Sequence, residues 1–517
     1  MEFLIYLIAV TGILIGVIFW KGFVKAGRKA WEAFVPFYNI VILLKIIKRP
    51  GWWAILLFIP VIGNIMAIVL IYEWLHVFGY RKKRHTFYAF VTALLFVVYV
   101  NYASSTKYVG KDNETILKSI TGWTSAVLFA VVAATIVHNY FMQPYVIPTP
   151  SLEKTLLVGD FLFVSKFHYG ARAPMTPIAL PMVHDSIPII GTKSYLKKPQ
   201  LPYFRIPGFQ KIKRNDIVVF NWPTDTVRFF RDQSKIHVYK PVDKRSNYVK
   251  RCVAIAGDSL ELKEGYVFIN GKRSQLPDRA KTQFGYYAKT NGANLNPMFL
   301  YKRFGVRPGE SGYIDSERQI YYFQSLTEEA AQKLKNNPKI ESLQREISPA
   351  GNYDEKIFPH NAKYAWSRDN FGPIYIPEKG KTIQLTQETL PFYKRIINEY
   401  EGNTLEVTND KIIINGKAAT TYTFKQDYYW MMGDNRHNSE DSRYWGFVPF
   451  DHVVGKPVFI WFSWDTFGQN ITERVRVKRL FTTVGGKGKP VSYLWYFLGA
   501  VAIWFIVNSI RRKRKQA

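Results

Sequence analysis

The sequence predicts a mainly β domain with an inserted α+β subdomain, anchored by several transmembrane α-helices. Three observations predict it. Apolar runs approaching the roughly 20 residues that cross a bilayer cluster toward both ends of the 517-residue chain. From Met142 onward the texture changes to short alternating runs of β-branched and aromatic residues broken by Gly, Pro, Asn and Asp. Two look-alike hairpin units in that region are separated by a long stretch with helical patterning.

The apolar runs are residues 3–20, 52–74, 120–141 and 493–507, with a shorter one, 87–102, that spans or is re-entrant. The first lacks a basic leader and an Ala-x-Ala exit, so it reads as a retained anchor rather than a cleaved leader. Basic clusters at Lys21, Lys25, Arg28 and Lys29, at 81–84 and at 511–515 prefer the cytoplasm. The last of these places 142 to about 490 outside it, in a multi-pass membrane protein. Ile59-Pro60 and Gly63-Asn64 kink or turn the second run, which leaves the topology before residue 119 open. Residues 31–48, with Pro36 inside, read as interfacial or re-entrant.

Lys and Arg total 70 against 39 Asp and Glu, a net charge of +31 that suits nucleic acid or an anionic membrane face. No basic helix or aromatic platform for nucleic acid is recognisable, so the excess charge is assigned to membrane lipid. The single cysteine, Cys252, excludes an internal disulfide and any multi-cysteine metal cluster, and reads as a small buried strand residue.

Within the β region the predicted strands are 161–165, 217–221, 248–255, 266–269, 411–414, 428–432 and 458–461. Asn270-Gly271 and Asn415-Gly416 each follow an apolar run, and Asn-Gly suits a type I′ hairpin because both central residues need positive φ. Leu260-Glu261-Leu262 and Leu405-Glu406-Val407 precede these turns by the same interval, a small repeated β-element. Between them an insert, 275–400, carries predicted helices at 327–335 and 391–400, the second opened by Pro391 and closed by Gly402. It reads as a rim to a substrate groove or as structural padding. The resulting division is 1–118, a membrane region; 119–141, an anchor; 142–274 and 401–490, the two parts of the β domain; 275–400, the insert; and 491–517, a final span with a basic cytoplasmic tail.

Three segments carry candidate chemistry. Val146-Ile-Pro-Thr149-Pro-Ser151-Leu-Glu-Lys154-Thr155-Leu places a serine between a proline-stiffened stretch and an apolar strand, although most loop serines are turn or cap residues. Tyr248-Val-Lys250-Arg251-Cys252 sets a lysine on one face of a strand with Tyr248 and Cys252, and Arg251 on the other. A lysine buried there would have its charged form disfavoured, as a base near neutral pH requires at a cost of about 4 kcal/mol; an exposed edge-strand lysine is the plainer alternative. Gly433-Asp434-Asn435-Arg436-His-Asn-Ser439-Glu-Asp441-Ser442-Arg443 reads as an ordered loop in which Asp441 and Arg443 pair. Two arginines among its carboxylates argue against a calcium loop.

Together, in this order and after an apolar run, these segments resemble the type I signal peptidase family. Its Ser-Met-x-Pro-Thr-Leu motif appears as Ser151-Leu-Glu-Lys154-Thr155-Leu156, and its Arg-Gly-Asp strand motif is similar to Arg214-Asn215-Asp216. Its Lys-Arg-x-x-Gly-x-Pro-Gly-Asp motif matches Lys250-Arg251-Cys-Val-Ala254-Ile-Ala256-Gly257-Asp258, and its Gly-Asp-Asn-Arg-x-x-Ser-x-Asp-Ser-Arg motif is intact from Gly433 to Arg443. The resemblance implies a serine peptidase with Ser151 as nucleophile and Lys250 as its general base. It implies further that Thr149 and the Ser151 N–H face the oxyanion, that Ser439 orients the Lys250 amine, and that Asp441 and Arg443 brace the loop. The implied substrates are signal peptides of exported preproteins ending in Ala-x-Ala, and no metal or organic cofactor is implied. The competing reading is a catalytically idle, membrane-anchored binding or scaffold module of the same fold.

Overall fold

The structure, a computed structural model, describes residues 2–92, 94–110, 123–188, 190–227, 237–292, 295–408 and 411–516. The start of the expected anchor, 119–122, and the side chains of the basic tail, 511–515, lie outside the described residues. The chain divides into two compact units, one of residues 1–139 with 173–204, the other of 140–172 with 205–517.

In the first unit the apolar runs fold as helices, including Glu2–Lys25, Tyr38–Ile46, Ile62–Val77, Leu95–Tyr102 and Trp123–Ile136. The second run breaks before Ile62, after Pro60 and at Val61, whose φ is 69°. Polar side chains inside this apolar packing are matched. Trp74 Nε1 donates to Asn101 Oδ1 at 2.9 Å, Asn101 Nδ2 donates to the Ile18 carbonyl at 2.8 Å, and Arg49 pairs with the buried Glu73. Among the described residues no helix is long and apolar enough to cross a membrane, so the anchorage expected above rests on the sequence.

The second unit is β-rich. Its main sheet contains β1 (Met142–Val146), β2 (Asp160–Ser165), β3 (Ile217–Asn221), β4 (Asn247–Ala254), β5 (Tyr428–Met432), β6 (Val448–Pro449), β7 (Val453–Ser463) and β8 (Thr482–Thr483). The order is β1-β2-β7-β3-β4-β5-β6, antiparallel throughout, with β8 on β7. Strands β3 and β5 are buried along their whole length, which is why their runs are continuously apolar rather than alternating. Cys252 is buried in β4 as a packed residue.

Both Asn-Gly turns have positive φ at the two central residues, 51° and 76° in each. Their repeat extends to the hydrogen bonds: Ser259 N donates to Asn270 Oδ1 and Thr404 N to Asn415 Oδ1, each at 2.9 Å. The insert adds a four-stranded sheet built from Phe284–Thr290, Ser311–Asp315, Ile320–Leu326 and Ile340–Arg345. Its predicted helices are present as Glu328–Lys335, capped by Thr327, and as Leu390–Arg395 running on to Tyr400. A further helix, Pro297–Phe304, capped by Asn296 and closed by Gly305 at φ 70°, lay outside the sequence reading.

Candidate active site

Strand β4 positions Lys250 by register. Val218 of β3 is its cross-strand partner, and its neighbour Arg251 pairs with Ile217 on β3 and Met432 on β5. Both faces of β4 are covered here, so Lys250 is only 3% exposed and Arg251 2%. They point to opposite sides as strand alternation requires. Lys250 Nζ lies 2.7 Å from Ser151 Oγ and 5.4 Å from the centre of the Tyr248 ring. Burial pushes the Lys250 amine down to about 8; the nearby carboxylates of Asp441, Glu440 and Asp434 oppose that fall without cancelling it.

Ser151 stands in the short 3₁₀ turn Pro150–Leu152 that follows Thr149. Pro150 presets the turn at its first position, and extended backbone at Thr149 delivers the chain into it. The motif loop holds the turn from behind. Asn435 donates its backbone N–H to the Ser151 carbonyl at 3.0 Å and its side-chain amide to the Pro150 carbonyl at 3.2 Å. Asp434 accepts the Thr155 hydroxyl at 2.6 Å and both Nε and a terminal nitrogen of Arg251, at 2.7 and 2.6 Å. All three motif segments therefore meet at the Asp434 carboxylate, two of them in a fork-to-fork ion pair.

Gly433 occupies the closest approach. A Cβ there would lie 2.6 Å from the Ser151 carbonyl oxygen and inside contact distance of the Ser439 hydroxyl. Asp441 is fully buried and takes the Gly433 N–H at 3.0 Å, the Ser439 hydroxyl at 2.9 Å and two nitrogens of Arg443 at 2.8 Å each. The Arg443 guanidinium is the main opposite charge holding the Asp441 carboxyl below its ordinary range against burial. Arg443 reaches on to the Arg436 carbonyl at 2.6 Å. The structure thus brings Asp441 and Arg443 together, and brings Ser439 to Asp441. Among the described residues no hydrogen bond joins Ser439 to Lys250.

A groove of about 640 Å³ opens over this arrangement, lined among others by Thr149, Ser151, Tyr248, Lys250, Ser439 and Glu440. Thr149 is half-buried on its wall. Glu440 stands at the exposed rim, where partial desolvation of its carboxylate raises its pKa while Lys250 draws it down. Among the described residues no group of three or more His, Cys, Asp or Glu stands where it would hold a metal ion.

The departures from the family motifs have local explanations. Asn215, where the motif has Gly, adopts φ 71°, a conformation Asn tolerates better than other non-glycine residues, and its carbonyl accepts from Arg251 at 2.7 Å. Lys154, where the motif has Pro, has φ 70° and sends its ammonium 2.6 Å from the carbonyl of Gly305, at the C-terminus of helix Pro297–Phe304. A cation suits that end of a helix. The charge three residues after Ser151 is therefore directed into the insert.

The sequence reading missed other insert residues that hold the site. Gln283 donates to the Glu153 carbonyl at 2.9 Å and Ser325 to Asn435 Oδ1 at 3.0 Å. His437 lies between Glu346 and Asp369, 3.0 Å from each, and these contacts help depress both carboxyls, Glu346 to about 2. The interval His437-Asn438 within an intact motif was the only sequence sign of these contacts.

Comparison with known proteins matches the model of the family described as signal peptidase, peptidase S26, over residues 120–325 and 419–464; the interruption falls largely in the insert. Residues 31–111 match a family of unknown function, DUF5684. The chain is similar to signal peptidase I of Helicobacter pylori, 26% identical over 387 residues that cover 72% of this chain and 97% of the relative. Signal peptidase I of Buchnera aphidicola is 25% identical over 370 residues, covering 72% and 82%. That of Haemophilus influenzae is 23% identical over 367, covering 69% and 74%. The match to the family described as signal peptidase, peptidase S26, thus runs across both parts of the β-rich unit, in which a serine and a buried lysine are held together beneath a groove.

Proposed function

We propose that this protein is a membrane-bound serine endopeptidase that removes N-terminal signal peptides from exported preproteins. The observation that carries the reading is the 2.7 Å approach of two buried groups, Lys250 Nζ and Ser151 Oγ, at the floor of the groove. Its similarity to proteins named signal peptidase I supports the substrate class.

With its amine neutral, Lys250 accepts the Ser151 hydroxyl proton as Oγ attacks the scissile carbonyl. The developing oxyanion is met by the Ser151 N–H and the Thr149 hydroxyl, donors of the type that often supply the largest catalytic contribution. Lys250 then returns its proton to the departing amine, leaving an ester on Ser151. Water, deprotonated by the same amine, cleaves that ester and restores the serine. Ser439 acts through Asp441, which braces the loop beside Lys250. The lysine's depressed pKa of about 8 supports its role, because a useful fraction is neutral near physiological pH.

The apolar runs and the basic clusters of the sequence support multi-pass anchorage in the inner membrane with the groove on the periplasmic side. An extended substrate ending in Ala-x-Ala would lie along the groove and present a small side chain beside Ser151. Cleavage of a model preprotein in detergent or liposomes, with the product's new N-terminus sequenced, tests the reading. Cleavage after Ala-x-Ala is expected, and an inactive wild type on several such substrates favours the binding-module alternative.

A further inference from the structure

Not every buried arginine around the motif loop has a carboxylate partner. Arg251, Arg436 and Arg443 are each at most 2% exposed, as are the carboxylates Asp434, Asp441 and Asp369. Asp434 is engaged in a two-pronged pair by Arg251, and Asp441 by Arg443. Arg436 is left over: among the described residues no ion pair engages it, its side chain makes one hydrogen bond, from a terminal nitrogen to the Gly265 carbonyl at 2.9 Å, and its Nε has no partner. An unpaired buried cation is costly, which makes the space beside it informative.

Arg436 lines a cavity of about 200 Å³ behind the loop, distinct in its lining from the groove over Ser151. Arg273 stands on the same lining with its guanidinium 3.9 Å above the centre of the Tyr266 ring, and forms no ion pair among the described residues. Ser274 and Thr282 add hydroxyls. The one carboxylate on the lining, Glu328, accepts the Tyr266 hydroxyl. Asp369, near Gly265, is committed to His437 and the Ser348 N–H. A small cavity whose lining includes two arginines and two hydroxyl residues offers the kind of donors that hold a tetrahedral oxyanion.

We propose that this cavity binds a small inorganic oxyanion, phosphate or sulfate, between Arg436 at its base and Arg273 at its mouth. The anion neutralises the surplus charge and stiffens the loop that carries Ser439 and Asp441. The proposal does not depend on the peptidase reading.

Titration calorimetry of the purified full chain with inorganic phosphate, at constant ionic strength held with chloride, tests it. One saturable site is expected, unchanged in Ser151→Ala. Arg273→Ala, at an exposed position, weakens binding about tenfold, the loss of one charge-assisted contact. Lys272→Ala, which removes a neighbouring exposed charge outside the cavity lining, leaves affinity within about twofold. Arg436→Gln abolishes binding where the variant folds. Absence of saturable binding, or equal weakening by Arg273→Ala and Lys272→Ala, overturns the proposal.

Discussion

Asn435 donates its backbone N–H to the carbonyl of Ser151 at 3.0 Å, tying the loop that surrounds Lys250 directly to the turn that carries the serine. The two halves of the site are therefore one rigid assembly, and Gly433 sets how closely they approach. Gly433→Ala places a methyl against the Ser151 carbonyl and the Ser439 side chain. The expected result is a loss of at least about a hundredfold in kcat, because small misplacement of reacting groups costs that much, with substrate binding less affected. Steady-state kinetics on a peptide substrate checks it.

The pH profile follows from the Lys250 amine. Only the neutral amine is a base, so kcat/KM rises with pH through about 8 and levels above it. Glu440 faces Lys250 with a negative charge that favours its protonated form. Glu440→Gln removes that charge and moves the rising limb to lower pH. A limb that stays in place, or moves upward, contradicts the assigned electrostatics.

The same amine makes stability depend on pH. Its folded pKa, about 8, is below the 10.5 of the unfolded chain, so between these values the unfolded state binds more protons and stability rises with pH. Below pH 8 the buried charge costs on the order of 3 kcal/mol. Lys250→Met is expected to raise the unfolding midpoint at pH 7 and to have little effect near pH 10.5, as read by thermal denaturation at the two values.

Asp441→Asn leaves the Arg443 guanidinium buried without its counter-charge and weakens the acceptors of the Gly433 N–H and the Ser439 hydroxyl. Breaking one partner of a buried pair costs about 3–5 kcal/mol. Urea unfolding should show a loss of that size, and activity should fall even under conditions where the variant remains folded.

Lys154 tests how the insert and the nucleophile segment are joined. Proline, the family residue at this place, cannot take the observed φ of 70°, so Lys154→Pro is expected to destabilise by more than about 1 kcal/mol despite restoring the motif. Lys154→Met keeps the backbone and loses only the contact with Gly305, giving a smaller loss. Denaturant midpoints of the two variants rank the effects.

How much of this was legible in the sequence depended on how local the signal was. Strands β2, β3 and β5 announced themselves by β-branched and aromatic runs, β4 by such a run interrupted at Lys250-Arg251, and the two hairpins by Asn-Gly, because those preferences act over a few residues. Helix Pro297–Phe304 had the same kind of local sign, Asn296 and Pro297 before it and Gly305 after it, and the sequence reading did not include it. Ser151 and Lys250 are 99 residues apart, and nothing in their spacing predicts contact; only the ordered set of motifs brought them together on paper. Ser439 was expected at Lys250 by the resemblance, whereas its hydroxyl turns to the nearer Asp441, two residues on. The insert's hold on the site through Gln283, Ser325 and the carboxylates around His437 was illegible, since each is a long-range contact made by a residue ordinary in its own surroundings. The membrane runs were legible as composition, and among the described residues no helix is long and apolar enough to cross a membrane.

The most direct test of the central claim is cleavage of a preprotein bearing an Ala-x-Ala site by wild type, Ser151→Ala and Lys250→Ala, with the fold of each verified by circular dichroism. The account predicts site-specific cleavage by wild type and a fall to background in both variants. Retained cleavage by either folded variant would contradict the pairing of Ser151 with Lys250 as nucleophile and base.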